Sequence, residues 1–76
     1  MPRFYFDYAC LQHSSSDDVG TELPNIEAAK AEAVDAAAEW LKDNAAQFIE
    51  LRLSVRDGGI APLFVVTARI ETKDAG

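Results

Sequence analysis

The sequence contains a single cysteine, no long apolar run and few basic residues. The lone thiol, Cys10, excludes an internal disulfide framework and a zinc site built on several thiolates. No apolar stretch approaches the roughly 20 residues that span a bilayer. Arg3 and Asp7 also place charge where a signal peptide needs an uninterrupted apolar segment. These absences favour a cytoplasmic protein with no membrane partner.

Basic residues are scarce relative to acidic ones. The chain has 7 Lys and Arg against 13 Asp and Glu, which gives a net charge of −6. This balance argues against a general nucleic-acid or membrane binder, because both need clustered positive charge. It leaves open a basic protein partner.

The length and the apolar content indicate one small folded domain. Of the 76 residues, 49% are apolar, which is too many for a disordered tail. We expect a single domain over residues 1–76, with a frayed tail at 72–76. A chain this short is near the lower limit for a self-sufficient core, so a homodimer is expected on size alone.

Alternating apolar and polar residues predict three strands. The pattern covers residues 3–9, 49–56 and 63–71, and Asp57-Gly58-Gly59 supplies the turn between the last two. The polar residues 12–18 predict a loop or hairpin tip, and residues 19–23 a short return strand before Pro24. The residues expected to face the core are Phe4, Phe6, Tyr8, Ile49, Leu51, Leu53, Val55, Phe64, Val66, Ala68 and Ile70.

A helix is predicted from residue 26 to residues 43–46. Asn25 is suited to the N-cap, and Glu27 lies where the helix dipole favours negative charge. The segment is rich in alanine and lacks glycine and proline. At 100° per residue its apolar face contains Ile26, Ala29, Ala33, Ala36, Ala37, Trp40 and Leu41.

These elements predict an α+β fold of the order β-(β)-α-β-β. A single amphipathic helix packs on one face of a three- to four-stranded, mainly antiparallel sheet. The strands before and after the helix are expected to run parallel under a right-handed crossover. The other face of the sheet is left without a layer.

The uncovered face is the candidate interaction surface. Three interpretations remain open for it: a solvated face with cross-strand ion pairs, a self-association surface, or a weak nucleic-acid site in which arginines surround a stacking tyrosine. The candidate interaction residues are Arg3, Tyr5, Arg52, Arg56, Leu63, Val65 and Arg69.

No combination of residues supports catalysis, cofactor binding or metal binding. Cys10 and His13 could form an activated thiol pair, but on an extended chain residues three apart point to opposite faces. His13, Asp17 and Asp18 could ligate a metal, yet their spacing fits no ligand signature. We therefore expect no enzyme activity, no cofactor and no metal.

Two segments carry a resemblance to a known family. Met1–Asp7 reads Met-Pro-Arg-Phe-Tyr-Phe-Asp, and Asp17–Asn25 reads Asp-Asp-Val-Gly-Thr-Glu-Leu-Pro-Asn, followed by an alanine-rich helix. The chain resembles a family of short bacterial domains of unknown function with this N-terminus and a D-x-x-G-x-E-L-P-[DN] segment. More loosely it is similar to the N-terminal fold of HicB-type antitoxins, which bind a small basic ribonuclease toxin.

Together these observations predict a non-enzymatic interaction domain that self-associates through its sheet. The alternatives are a toxin-neutralising module that binds a basic protein partner, as the HicB resemblance implies, and a weak nucleic-acid binder that uses the arginine-bearing face.

Overall fold

The computed structural model describes residues 1–11, 13–44, 48–59 and 61–75. In chain order its elements are β1 (Arg3–Ala9), β2 (Ser14–Ser15), β3 (Thr21–Glu22), α1 (Ile26–Asp43), β4 (Phe48–Arg56) and β5 (Phe64–Glu71). Residues 72–75 have no regular structure. The prediction for the helix end extended to residues 45–46, which lie outside the described residues. Among the described residues, no helix combines the length and the apolar character that crossing a bilayer requires.

The strands form one open antiparallel sheet in the order β2-β1-β4-β5, with β3 also paired to β1. In the central ladder Phe6 pairs with Val55, and in the next ladder Leu53 pairs with Val66. The two short strands pair with opposite ends of β1: β2 with Tyr8 and Ala9, and β3 with Arg3 and Phe4. The α+β class with one helix is confirmed, but the described residues form five strands rather than three or four.

The count was too low because one strand of only two residues was predicted as a loop. Ser14–Ser15 lies in the segment predicted as a loop, where a polar run gives no alternating signal. Thr21–Glu22 confirms the predicted return strand. Since β3 and β4 are both antiparallel to β1, they run in the same direction, as expected for the strands before and after the helix.

The helix begins and ends where capping chemistry places it. The Asn25 side chain accepts a hydrogen bond from the Ala28 N–H at 2.8 Å, which satisfies one free donor of the first turn. At the other end the Asn44 N–H donates to the Trp40 carbonyl oxygen at 3.0 Å. The predicted N-cap is therefore confirmed.

A row of alanines brings the helix close to the sheet. Ala29, Ala33 and Ala37 are at most 2% exposed, and α1 packs mainly against β4 and β5. Small side chains at i, i+4 and i+8 leave no bulk between the helix axis and the strands. The fully buried core side chains of the sheet beneath them are Leu51, Leu53 and Val55.

Four residues of the predicted apolar helix face lie outside the buried core: Ile26, Ala36, Trp40 and Leu41. Ile26 is 36% exposed, because the first turn extends beyond the core. Trp40 is only partly buried against the core. The helix sits over β4 and β5, so Trp40 reaches the flank of the core near β1 rather than filling a gap within it.

The close helix–sheet approach gives a stability prediction. Ala33→Leu should lower the free energy of unfolding by about 1–3 kcal/mol, because the added atoms have no space at a fully buried site. Ala31→Leu on the exposed side of the same helix is the matched control and should change it by less than about 0.5 kcal/mol. Urea unfolding measures both. Equal values for the two variants would show that the helix does not pack closely at Ala33.

Candidate functional site

The seven candidate interaction residues lie on the uncovered side of the sheet or at its margins, in two groups. Arg3, Tyr5 and Arg56 cluster around the N-terminal half of β1. Leu63 and Val65 lie at the start of β5 and are 43% and 40% exposed. Arg52 on β4 and Arg69 on β5 lie along the same face, and Arg69 contacts Glu71 at 2.6 Å.

Arg56 links β4 to β1 and to the loop that follows β2. Its Nε donates to Asp7 Oδ2 at 2.8 Å, and its Nη2 donates to the Asp17 backbone oxygen at 2.9 Å. The guanidinium carbon lies 4.7 Å from the centre of the Tyr5 ring, a cation–π geometry. The Asp7 and Arg56 side chains are about a quarter exposed, so water screens this pair only in part. Arg56 therefore holds β1, β4 and the loop after β2 together.

At the edge of β1 the Asp17 side chain accepts a backbone hydrogen bond that a neighbouring strand would otherwise accept. Its Oδ2 accepts from the Phe6 N–H at 3.1 Å, and its Oδ1 accepts from Val19 and Gly20 at 3.0 and 2.9 Å. Its own N–H donates to Asp7 Oδ1 at 2.9 Å. One carboxylate thus satisfies the outer edge of β1 between β2 and β3, where neither of these two short strands pairs with Phe6. The side chain is structural, and its oxygens are already occupied by donors.

These contacts lower the pKa of both carboxyl groups. For Asp7 the main cause is the hydrogen bond from Arg56, opposed in part by burial. For Asp17 it is the Gly20 N–H, helped by the Phe6 and Val19 N–H groups and again opposed by burial. Each of these donors stabilises the ionised form.

Gly20 allows the same loop to approach β1. Its φ is +75°, a conformation that favours glycine. A Cβ at this position would lie 2.7 Å from Arg3 Cγ and 2.9 Å from Tyr5 Cε2. Arg3 in turn donates to the Val19 oxygen at 2.9 Å and to Glu22 at 3.1 Å. The Asp17-x-x-Gly20 segment thus holds the loop against β1, and this contact depends on both Asp17 and Gly20.

Most of the arginines on this face are engaged within the chain. Arg3, Arg56 and Arg69 pair with Glu22, Asp7 and Glu71, respectively. Neutralised side chains offer little attraction to phosphate groups. Nucleic-acid binding through this surface remains an untested prediction.

Cys10 and His13 line the same small cavity, contrary to the expectation from an extended chain. The Cys10 N–H donates to the His13 oxygen at 2.8 Å, so the chain turns here and brings both residues to one side. The cavity has a volume of about 70 Å³, and Tyr8, Ser14, Ser15, Trp40 and Leu51 complete its lining. That volume is well below the roughly 300 Å³ of the smallest ordinary ligand sites. Across the described residues, no three His, Cys, Asp or Glu side chains form a metal-binding group.

A larger groove runs between the helix and the β1 flank of the sheet. It consists of two adjoining cavities of about 760 and 560 Å³, which share Tyr8, Glu32 and Ala36. We call this surface the acidic groove. The remaining lining residues are Asp35, Ala38, Glu39, Trp40, Lys42 and Asp43 in the first cavity, and Phe6, Ser15, Ser16, Asp17, Asp18, Val19 and Thr21 in the second. No feature of the sequence predicted it, because it depends on where the helix sits.

Tyr8 at the base of the groove lies near negatively charged side chains. Burial raises the pKa of the Tyr8 hydroxyl, and the negative charges of Asp17 and Glu32 raise it further. Both effects oppose ionisation of a phenol. Tyr8 is therefore partly buried at the base of the groove and lies near two of its carboxylates.

The family comparison matches most of the chain, whereas the other two comparisons find nothing. The sequence model of DUF6894, a domain of unknown function, matches residues 3–69. Neither the curated proteins nor the solved structures include a significant match. The expected membership in a family of short domains of unknown function is thus confirmed, and the HicB resemblance remains a prediction.

Asp17 and its neighbour Asp18 form a matched pair of variants. Asp17→Ala should lower the free energy of unfolding by about 1–3 kcal/mol, because the half-buried Phe6 N–H loses its acceptor. Asp18→Ala removes the same charge from an exposed side chain and should change it by less than about 0.5 kcal/mol. Chemical denaturation measures both. If the two variants proved equally stable, Asp17 would have no edge-closing role.

The lowered pKa values also predict a pH dependence of stability. Folding favours the ionised forms of Asp7 and Asp17, so their contribution is complete above the ordinary value of 3.8 and is lost as the pH falls below it. The urea concentration at the unfolding midpoint should therefore decrease as the pH is lowered from about 5 through 3.8 and below. Asp7→Asn should flatten this fall, whereas Asp18→Asn should leave it unchanged. An identical slope in all three proteins would contradict the assignment.

Proposed function

The chain belongs to the DUF6894 family of domains of unknown function, and on that premise we propose that it is a non-enzymatic interaction domain that self-associates through β5. The observation that supports this most directly is the open outer edge of Phe64–Glu71. Within the described residues, no strand pairs with that edge. An exposed row of backbone donors and acceptors is a template for pairing with another chain.

Backbone alternation identifies the groups on this edge. The Phe6 N–H points away from β4 toward Asp17, so Tyr5 and Asp7 direct theirs toward β4. Carried through the two ladders, the same alternation directs the backbone groups of Val66 toward β4 and those of Val65 and Thr67 outward. Val65 and Thr67 thus have exposed side chains and outward-pointing N–H groups.

The edge lacks the features that usually prevent pairing. Phe64–Glu71 contains no proline and no lysine, and four of its residues are Phe, Val, Val and Ile. Its charged residues, Arg69 and Glu71, contact each other. Pairing with a second β5 around a two-fold axis would extend the sheet and place the exposed Leu63 and Val65 beside the joint.

The cavities favour binding over catalysis. Cys10 and His13 together line a space of only about 70 Å³, and the hydrogen bond between these two residues joins their backbones. The larger groove contains carboxylates and aromatic rings, a composition that suits recognition of another macromolecule. Localisation in the cytoplasm is part of the same proposal and is supported by the single cysteine.

Thr67→Pro tests self-association through β5. The substitution removes an N–H that points to the open edge and that the fold does not use, so the monomer should keep its fold while edge pairing is lost. Light scattering should give a dimer mass for the native chain and a monomer mass for the variant. Circular dichroism of both proteins checks that the fold is intact.

Thr67→Val is the matched control, since it retains the N–H and should remain dimeric. Val65→Lys provides a second route, because an edge lysine opposes pairing without changing the backbone. A native chain that is monomeric at high micromolar concentration would refute the proposal. So would a dimer that survives both Thr67→Pro and Val65→Lys.

A further inference from the structure

We propose that the acidic groove binds a basic amphipathic segment of another protein. This site is separate from β5, because the groove lies beside β1, whereas β5 forms the opposite edge of the sheet. The occupant is defined by its chemistry: lysine or arginine side chains on either side of a large apolar residue. The shape of the groove, its aromatic base and its charge each support this assignment.

The groove has the dimensions of a peptide site. Its two cavities, of about 760 and 560 Å³, are largely open to solvent, so they can admit an extended or helical segment from outside. The helix residues along its wall run from Glu32 to Asp43, roughly 17 Å at about 1.5 Å per residue. A segment of three helical turns or five extended residues would fill that length.

The base of the groove offers apolar contact. Tyr8 and Trp40 are partly buried, and each leaves part of its ring at the groove surface. Ala36 between them is small and leaves space above the sheet. Aromatic side chains of this kind often anchor apolar residues of a partner.

The rim of the groove carries a net negative charge. Glu32, Asp35, Glu39 and Asp43 line the first cavity against a single lysine, Lys42. None of these four carboxylates forms an ion pair with a described residue. Carboxylates that are not neutralised within the chain attract a basic partner and oppose an acidic one. The same charge disfavours a second copy of this chain, whose net charge is −6.

Binding can be measured through Trp40, because it is the only tryptophan of the chain. The probe is a synthetic Lys/Leu amphipathic peptide of roughly 12 residues, a length that matches the groove. Titration should shift the Trp40 emission to saturation at low salt, with an affinity that falls as salt is added. A Glu/Leu peptide and a Lys/Ser peptide should bind at least about tenfold more weakly, because one lacks the charge and the other the anchor.

Matched variants locate the site. Glu32→Gln with Glu39→Gln should weaken Lys/Leu peptide binding about tenfold, since it removes two rim charges. Asp57→Asn with Asp74→Asn makes the same change in net charge away from the groove and should leave binding nearly unchanged. Thr67→Pro should also bind normally, which separates this site from the β5 edge.

Several results would overturn the proposal. One is the absence of saturable binding at low salt. Another is equal weakening by the groove variant and the control variant, which would indicate attraction to overall charge alone. Equal affinity for the Lys/Ser peptide would exclude a role for Tyr8 and Trp40 as an anchor site. A Trp40 shift that depends on protein concentration without peptide would assign the groove to a second copy instead.

Discussion

A single helix has to cover a sheet that is wider than the helix itself. The order β2-β1-β4-β5 is four strands across, and at about 4.8 Å between neighbouring strands it is wider than one helix of roughly 10 Å. The alanine row Ala29, Ala33 and Ala37 brings the helix down onto β4 and β5, and the inward-facing side chains of β4 beneath it are fully buried. On the β1 side of the same face the helix packs less closely and leaves the acidic groove between itself and the strand. The remaining features of the molecule follow from this placement.

The flank of the sheet beside β1 is closed by a loop rather than by a second helix. Phe4 and Phe6 are buried in the same core as the helix alanines, and the segment from Ser16 to Leu23 crosses back along the edge of β1 beside them. A loop in that position needs partners for its backbone groups, and the Asp17 carboxylate supplies them. Arg56 then ties the loop to β4. Hydrogen bonds of charged side chains therefore stabilise this flank, whereas hydrophobic packing stabilises the region over β4 and β5.

Local patterns predicted most of the fold and little of the candidate site. Alternation identified β1, β4 and β5 to within one residue at each end, because one face of each strand is buried. Asn25 was identified as the N-cap because capping depends on the adjacent backbone alone. The role of Asp17 depends on Phe6, eleven residues away, and the groove depends on the position of α1 over the sheet. Such relations between distant residues have no signature in a single sequence. The Asp17-x-x-Gly20 spacing was the one available signal, and it suggested a family motif rather than a loop-closing contact.

The two proposed surfaces lie at opposite flanks of the sheet, so occupation of one does not block the other. In the order β2-β1-β4-β5, edge pairing uses β5, whereas the groove lies beside β1. A two-fold dimer joined through β5 would keep both helices on one face of a continuous sheet and place one groove at each outer end. Two identical grooves on one rigid body favour a partner with two basic segments, because the second contact forms at a high effective concentration. Dimerisation would then raise affinity without adding a contact to either groove, which gives a physical reason for the two surfaces to occur in so short a chain.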